Sequence, residues 1–67
     1  MDSRDLKIAD AFNKAIAFYK ENGFIDLTRF ASYFKGIKYD SDDAYIHHMV
    51  NMYQMFLDTV VYKKFSK

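Results

Sequence analysis

The first stripe of apolar residues lies between residues 3 and 21. Its members recur at intervals of three and four positions, which is the spacing of one face of an α-helix. They are Ile8, Phe12, Ala15, Ile16 and Tyr19. Asp2 or Ser3 can cap the start of such a helix, and Asn22-Gly23 is a strong stop signal. The pattern therefore predicts a first helix over about residues 3–21.

A second, shorter helix is predicted to begin after Asp26. Aspartate is a favoured N-cap, and Ile25 and Phe30 occupy the two positions of a hydrophobic staple around it. The residues expected to face inward are Leu27, Phe30, Ala31 and Phe34. Gly36 is expected to end this helix in the left-handed conformation that glycine adopts at little cost.

The third predicted helix spans about residues 41–65, with Asp40 or Ser41 as its cap. Placed at about 100° per residue, apolar side chains cover roughly 260° of its circumference. The narrow polar strip, expected to face solvent, consists of His47, Asn51, Gln54 and Asp58. The residues expected to face the core are Ile46, Met49, Tyr53, Phe56, Leu57 and Val60.

A third side of the same helix mixes methionine and tyrosine with small polar groups. This methionine-tyrosine flank consists of Tyr45, His48, Met52, Met55, Thr59 and Tyr62. Methionine adapts to a partner's shape and tyrosine combines contact area with a polar tip, so the flank is predicted to be a protein interface. A two-fold homodimer is the simplest form of that interface. The alternative is that residues 37–40 and the long aromatic side chains of the first helix cover the flank and make it core.

Length and composition favour one small all-α domain. The 67 residues fit a single three-helix bundle, with a short middle helix and a long C-terminal helix, and no period-two alternation predicts a strand. The chain has no cysteine, so neither a disulfide nor a thiolate metal site can supplement the core. Asp outnumbers Glu and Lys outnumbers Arg, a bias typical of AT-rich genomes such as those of many viruses and mobile elements.

No motif in the sequence indicates catalysis, a cofactor or a metal. Residues 21–30 superficially resemble the second half of a calcium-binding helix–loop–helix, but Arg29 stands where a bidentate Glu is required. His47 and His48 are adjacent, so on a helix their rings point about 100° apart and cannot grip one ion. The chain is therefore predicted not to be an enzyme.

Nucleic-acid binding is the alternative function. The second and third helices, separated by residues 36–38, loosely resemble a helix-turn-helix, and lysines near the helix ends would contact phosphate. These are Lys35, Lys38, Lys63, Lys64 and Lys67. Against this, the start of the third helix is acidic at Asp42 and Asp43, and the net charge is only +1.

The function predicted from sequence is that of a non-catalytic protein–protein interaction module. It would act as a small regulator, inhibitor or adaptor, with itself or another protein as partner and without a membrane or a small-molecule substrate. Asp2 and Asp5 stand where a signal peptide would have basic residues, so the expected location is the cytoplasm.

Overall fold

The computed structural model describes residues 3–64, and these form three helices. Helix α1 spans Ser3–Asn22, α2 spans Leu27–Ser32, and α3 spans Asp42–Phe56 and continues as a π-helical segment, Leu57–Val61. No strand occurs in this part of the chain. The predicted all-α architecture with a short middle helix and a long C-terminal helix is confirmed.

The starts of α2 and α3 and the end of α1 follow the local signals. Asp26 accepts a hydrogen bond from the Arg29 amide (2.7 Å), and Ser41 Oγ, rather than the alternative Asp40, accepts one from the Ala44 amide (3.1 Å). At the first helix Ser3 is already helical, and the other candidate cap, Asp2, lies outside the described residues. Gly23 has a φ of +79° and its amide donates to the Tyr19 carbonyl (2.7 Å), which ends α1 in the left-handed conformation.

The expected role of Gly36 is wrong. Helix α2 ends earlier, at Ser32, and the chain continues through a series of turns. In these turns the amides of Tyr33, Phe34 and Ile37 donate to carbonyls three residues earlier. Gly36 has no positive φ, whereas Gly23 has one. This tighter winding sends both Phe34 and Ile37 into the core.

The core is a cluster of phenylalanines laid against alanines of α1. Phe30, Phe34 and Phe56 are fully buried, with ring centroids 5.1 Å apart for Phe30–Phe34 and 5.5 Å for Phe30–Phe56. Ala11 and Ala15 of α1 are buried as well, and their small side chains let the rings approach the helix closely. Ile37 and Met49 complete the buried set.

Three sequence expectations about inward-facing residues and helix length are wrong. Leu27 is 43% exposed and Ile46 is 50% exposed, although both were assigned to the core. Helix α2 has only six residues and covers one sector of α3, which leaves Ile46 outside the contact. The last helical residue of the third helix is Val61 rather than residue 65, and Lys67 lies outside the described residues.

The chain adopts a left-handed backbone conformation just beyond α3 that the sequence does not predict. Lys63 has a φ of +54°, and the Lys64 amide donates to the Asp58 carbonyl at 2.7 Å. A residue in this left-handed conformation just beyond a helix is usually glycine, because a Cβ in the left-handed region costs roughly 1–2 kcal/mol. The chain therefore stores backbone strain at Lys63.

The two glycines provide a matched stability test. At Gly23, an added Cβ meets no atom within 4 Å, so Gly23→Ala should cost only the strain of a positive φ, about 1 kcal/mol. At Gly36, the space is also open and φ is not positive, so Gly36→Ala should leave stability unchanged or raise it by up to about 1 kcal/mol. Urea unfolding at one fixed protein concentration measures both, and equal losses for the two variants would contradict the assignment.

Replacing Lys63 by glycine should stabilise the protein. Relief of the strain outweighs the extra entropy of glycine in the unfolded chain, so the expected gain for Lys63→Gly is roughly 0.5–1 kcal/mol. Lys63→Ala is the control, because it removes the same side chain and keeps the Cβ. An equal change in both variants, measured by urea unfolding, would show that the side chain rather than the backbone is responsible.

Candidate protein interface on the C-terminal helix

The structure divides the predicted methionine-tyrosine flank into two halves. Tyr45, His48 and Met52 are half-buried and pack against the core. Met55 is 45% exposed, Tyr62 is 63% exposed, and Thr59 is exposed with its hydroxyl donating to the Met55 carbonyl at 2.8 Å. The first half of the flank is therefore covered by other parts of the chain, whereas within residues 3–64 the second half stays largely exposed.

Tyr39, in the connection between α2 and α3, covers the first half of the flank. Its ring lies 5.4 Å from that of Tyr45, and its hydroxyl is hydrogen-bonded to Nδ1 of His48 at 2.8 Å. The Tyr45 hydroxyl in turn donates to the Ala31 carbonyl at 3.1 Å. Coverage by residues 37–40, the alternative raised from the sequence, thus accounts for this part of the flank.

Burial around Tyr39 affects the protonation of His48. Desolvation lowers the pKa of His48 from its ordinary value of 6.5, and the Arg4 guanidinium lowers it further. Desolvation also raises the pKa of Tyr39. Arg4 lies over the Tyr39 ring, 5.1 Å from its centroid, and Lys38 and Asp40 line the same hollow. Neutral His48 is therefore the form that this packing favours.

The other side of α3 carries an exposed apolar stripe. Ile46 is 50% exposed and Val50, one turn later, is 47% exposed. Half-buried residues extend the row along the same side of the helix at intervals of three and four. The apolar stripe consists of Ile46, Val50, Tyr53, Leu57 and Val61. The sequence pattern assigned Ile46, Tyr53 and Leu57 to the core, and it gave Val50 and Val61 no role.

At its C-terminal end the stripe opens into a groove of about 320 Å³ lined by aliphatic and aromatic residues. Phe24, 58% exposed, and Tyr62 both line it. The π-helical segment brings Tyr62 here, because the Tyr62 amide donates to the Leu57 carbonyl five residues earlier (2.8 Å) and the extra residue changes the direction of the chain. The complete lining is Tyr19, Gly23, Phe24, Ile25, Tyr53, Leu57, Val61 and Tyr62.

The polar strip lies between the apolar stripe and the exposed half of the flank. His47, Asn51 and Gln54 are exposed, as the sequence pattern predicts, and Asp58 is half-buried. Gln54 Nε2 donates to Asp58 Oδ1 at 3.1 Å, and Lys64 Nζ lies 3.4 Å from the same oxygen. These polar groups border an apolar surface, which is the usual arrangement of a protein interface and its rim.

The four described lysines proposed for nucleic-acid contact lie in two groups at opposite ends of α3. Lys35 and Lys38 lie in the connection before α3, whereas Lys63 and Lys64 follow its end, about 30 Å away along a helix of twenty residues. The connection itself, residues 33–41, is nine residues long, and a helix-turn-helix joins its helices by three or four. Lys67 lies outside the described residues.

The placement of the His, Asp and Glu side chains and the apolarity of the helices in residues 3–64 bear on metal and membrane binding. No group of three His, Cys, Asp or Glu side chains there is arranged to hold an ion. Within the same residues, no helix has both the length and the apolar character needed to cross a bilayer.

The fold and the exposed side of α3 define the class of this protein as a small all-α, three-helix domain. Comparison of the chain with models of protein families, with curated proteins and with solved structures gives no match.

The lowered pKa of His48 should make the fold sensitive to acid. Because the unfolded chain binds a proton at His48 more readily than the folded chain does, this contribution to stability is present above about pH 6.5 and is lost as the pH falls further. In His48→Asn, an amide oxygen can accept the Tyr39 hydrogen bond without titrating, so this variant should lose less stability between pH 7.5 and pH 5.

The control for this experiment is His47→Asn, at an exposed position next along α3. Urea unfolding at both pH values should show the wild-type loss in this control and a smaller loss in His48→Asn. Identical acid losses in the two variants would show that His48 does not carry the effect.

Proposed function

We propose that this chain is a non-catalytic protein–protein interaction module, a small regulator, inhibitor or adaptor, that forms a homodimer through α3. The observation that carries the proposal is the apolar stripe, where Ile46 and Val50 stand half exposed one helical turn apart. Contiguous apolar surface of this kind on a small domain is typical of a docking site rather than of solvated surface.

The groove beside Tyr62 supports the same proposal. It continues the stripe past the end of α3 and adds the exposed ring of Phe24 to the surface available to a partner. Aromatic side chains are enriched at the centres of interfaces because they bury a large area at low entropic cost. A partner on α3 would thus cover valine, leucine and isoleucine along the helix and aromatic rings at its end.

The magnitude of the apolar effect favours association. Full burial of a valine, leucine or isoleucine side chain contributes about 1.5–3 kcal/mol, so each half-exposed member retains about 1 kcal/mol that burial by a partner would realise. A two-fold dimer counts each contribution twice, since the same residues lie on both sides. The resulting several kcal/mol offset part of the roughly 4–15 kcal/mol that association costs in lost translational and rotational freedom, and burial of the aromatic rings at the groove adds to them.

A second copy is a chemically suitable partner because α3 carries opposite charges at its two ends. Asp42 and Asp43 lie in its first turn, and Lys63 and Lys64 follow its last turn. The same helix therefore offers an apolar surface together with both members of a complementary charge pair. The absence of catalytic chemistry and the cytoplasmic location stay predictions from the sequence.

Substitution of Val50 by aspartate should dissociate the dimer. The change places two charges in the apolar contact, and a loss of 1.4 kcal/mol already corresponds to tenfold weaker association. Sedimentation equilibrium over a concentration series should therefore show at least tenfold weaker dimerisation for Val50→Asp than for the wild type. Circular dichroism checks that both remain helical.

The matched control is Met55→Asp, which introduces the same charge at a residue of equal exposure on the other side of the polar strip. It should dimerise like the wild type. If Met55→Asp dissociates the dimer and Val50→Asp does not, the interface lies on the methionine-tyrosine flank instead. A wild-type protein that stays monomeric to about 100 µM would refute the homodimer.

A further inference from the structure

Counted along the chain, two apolar pairs in α3 and one pair of opposite charges, in its first turn and just beyond its end, are spaced symmetrically about one point. Asp43 lies three residues before Ile46, the first member of the apolar stripe, and Lys64 lies three residues after Val61, the last member. Between these, Val50 follows Ile46 by four residues and Leu57 precedes Val61 by four. The midpoint of all three pairs falls between Tyr53 and Gln54.

We infer that α3 pairs with α3 of a second copy in antiparallel orientation, with the two-fold axis passing near Tyr53 and Gln54. The inference rests on the proposed homodimer and specifies its geometry. In this register, Ile46 faces Val61 of the partner subunit and Val50 faces Leu57 of the partner subunit. Each apolar side chain then meets an apolar side chain, as a self-complementary two-fold interface requires.

Charge selects the antiparallel orientation. It brings Asp43 of one copy to Lys64 of the partner subunit, and it sets the negative end of one helix dipole beside the positive end of the other. A parallel pair would instead place the acidic first turns side by side and the lysines side by side, and like charges in contact oppose association. The acidic start and the basic end of α3 thus act against the parallel arrangement.

Lys64 is available for this contact although it already pairs within its own chain. Its ammonium lies 3.4 Å from the Asp58 carboxylate, and the lysine side chain is 61% exposed. Exposed ion pairs of this kind are weak and exchange partners readily. The Asp43 carboxylate of a second copy can therefore share Lys64 at the edge of the interface.

The chain has no native cysteine, so single cysteines report the orientation directly. Gln54 and His47 are both exposed on the polar strip that borders the stripe, two helical turns apart. In the antiparallel register, the two copies of residue 54 lie beside the two-fold axis, whereas the two copies of residue 47 lie about 20 Å apart along the direction of the helices. A short bis-maleimide should therefore crosslink Gln54→Cys efficiently and His47→Cys hardly at all.

The outcomes separate this inference from the proposed homodimer. Comparable crosslinking of both variants would establish a parallel pair, which overturns the antiparallel register and leaves the homodimer standing. A dimer that crosslinks through neither cysteine would place the contact elsewhere and also overturn the register. A monomeric wild type would overturn both proposals.

Exchanging the charges at positions 43 and 64 tests the antiparallel orientation independently. In sedimentation equilibrium at low salt, Asp43→Lys and Lys64→Asp should each weaken the dimer severalfold, and the double variant should recover most of the wild-type affinity. The recovery is specific to the antiparallel pair, because in a parallel pair both positions would still face a like charge. Absence of recovery in a double variant that remains helical would overturn the inference.

Discussion

The packing of Phe30, Phe34 and Phe56 is the contact on which the rest of the structure depends. These rings are fully buried, and each comes from a different part of the chain: α2, the turns after it, and the end of α3. Phe12 and Tyr19 of α1 also reach Phe56, with ring centroids 5.8 and 6.0 Å away. One aromatic cluster therefore joins all three helices.

One side of α3 is exposed because the chain segment that precedes this helix contributes its residues to the aromatic core. Helix α2 has six residues, and after it the chain tightens into turns so that Phe34 and Ile37 become buried. Tyr39 then closes over Tyr45 and His48 near the start of α3. The short connection between α2 and α3 thus completes the core and covers the start of the methionine-tyrosine flank, while within residues 3–64 Ile46 and Val50 of the stripe stay about half exposed.

The sequence predicted the features that depend on local chemistry. The cap Asp26, the cap Ser41 as one of two candidates, and the helix stop at Asn22-Gly23 each act on a neighbouring turn, and the pattern predicted them, although it expected the left-handed glycine at Gly36 rather than at Gly23. The positions that depend on tertiary packing were predicted less well. Periodicity shows which residues of α3 share a side, but not which side meets α2, so Ile46 was assigned inward and Val50 was overlooked. The left-handed conformation at Lys63 could not be predicted because the residue is not a glycine. The π-helical turn that moves Tyr62 has no sequence signal either.

Dimerisation through α3 would couple folding to association in a chain of this size. A core of seven buried apolar residues is small, and among residues 3–64 no polar side chain is buried that would hold the helices in register. Covering the stripe with a second copy adds apolar burial to α3, the helix that supplies Phe56 and Met49 to the core. Binding that requires the folded helix stabilises the fold in proportion to the logarithm of protein concentration. The incomplete coverage of α3 within one chain is then the feature that makes partner binding and folding mutually supportive.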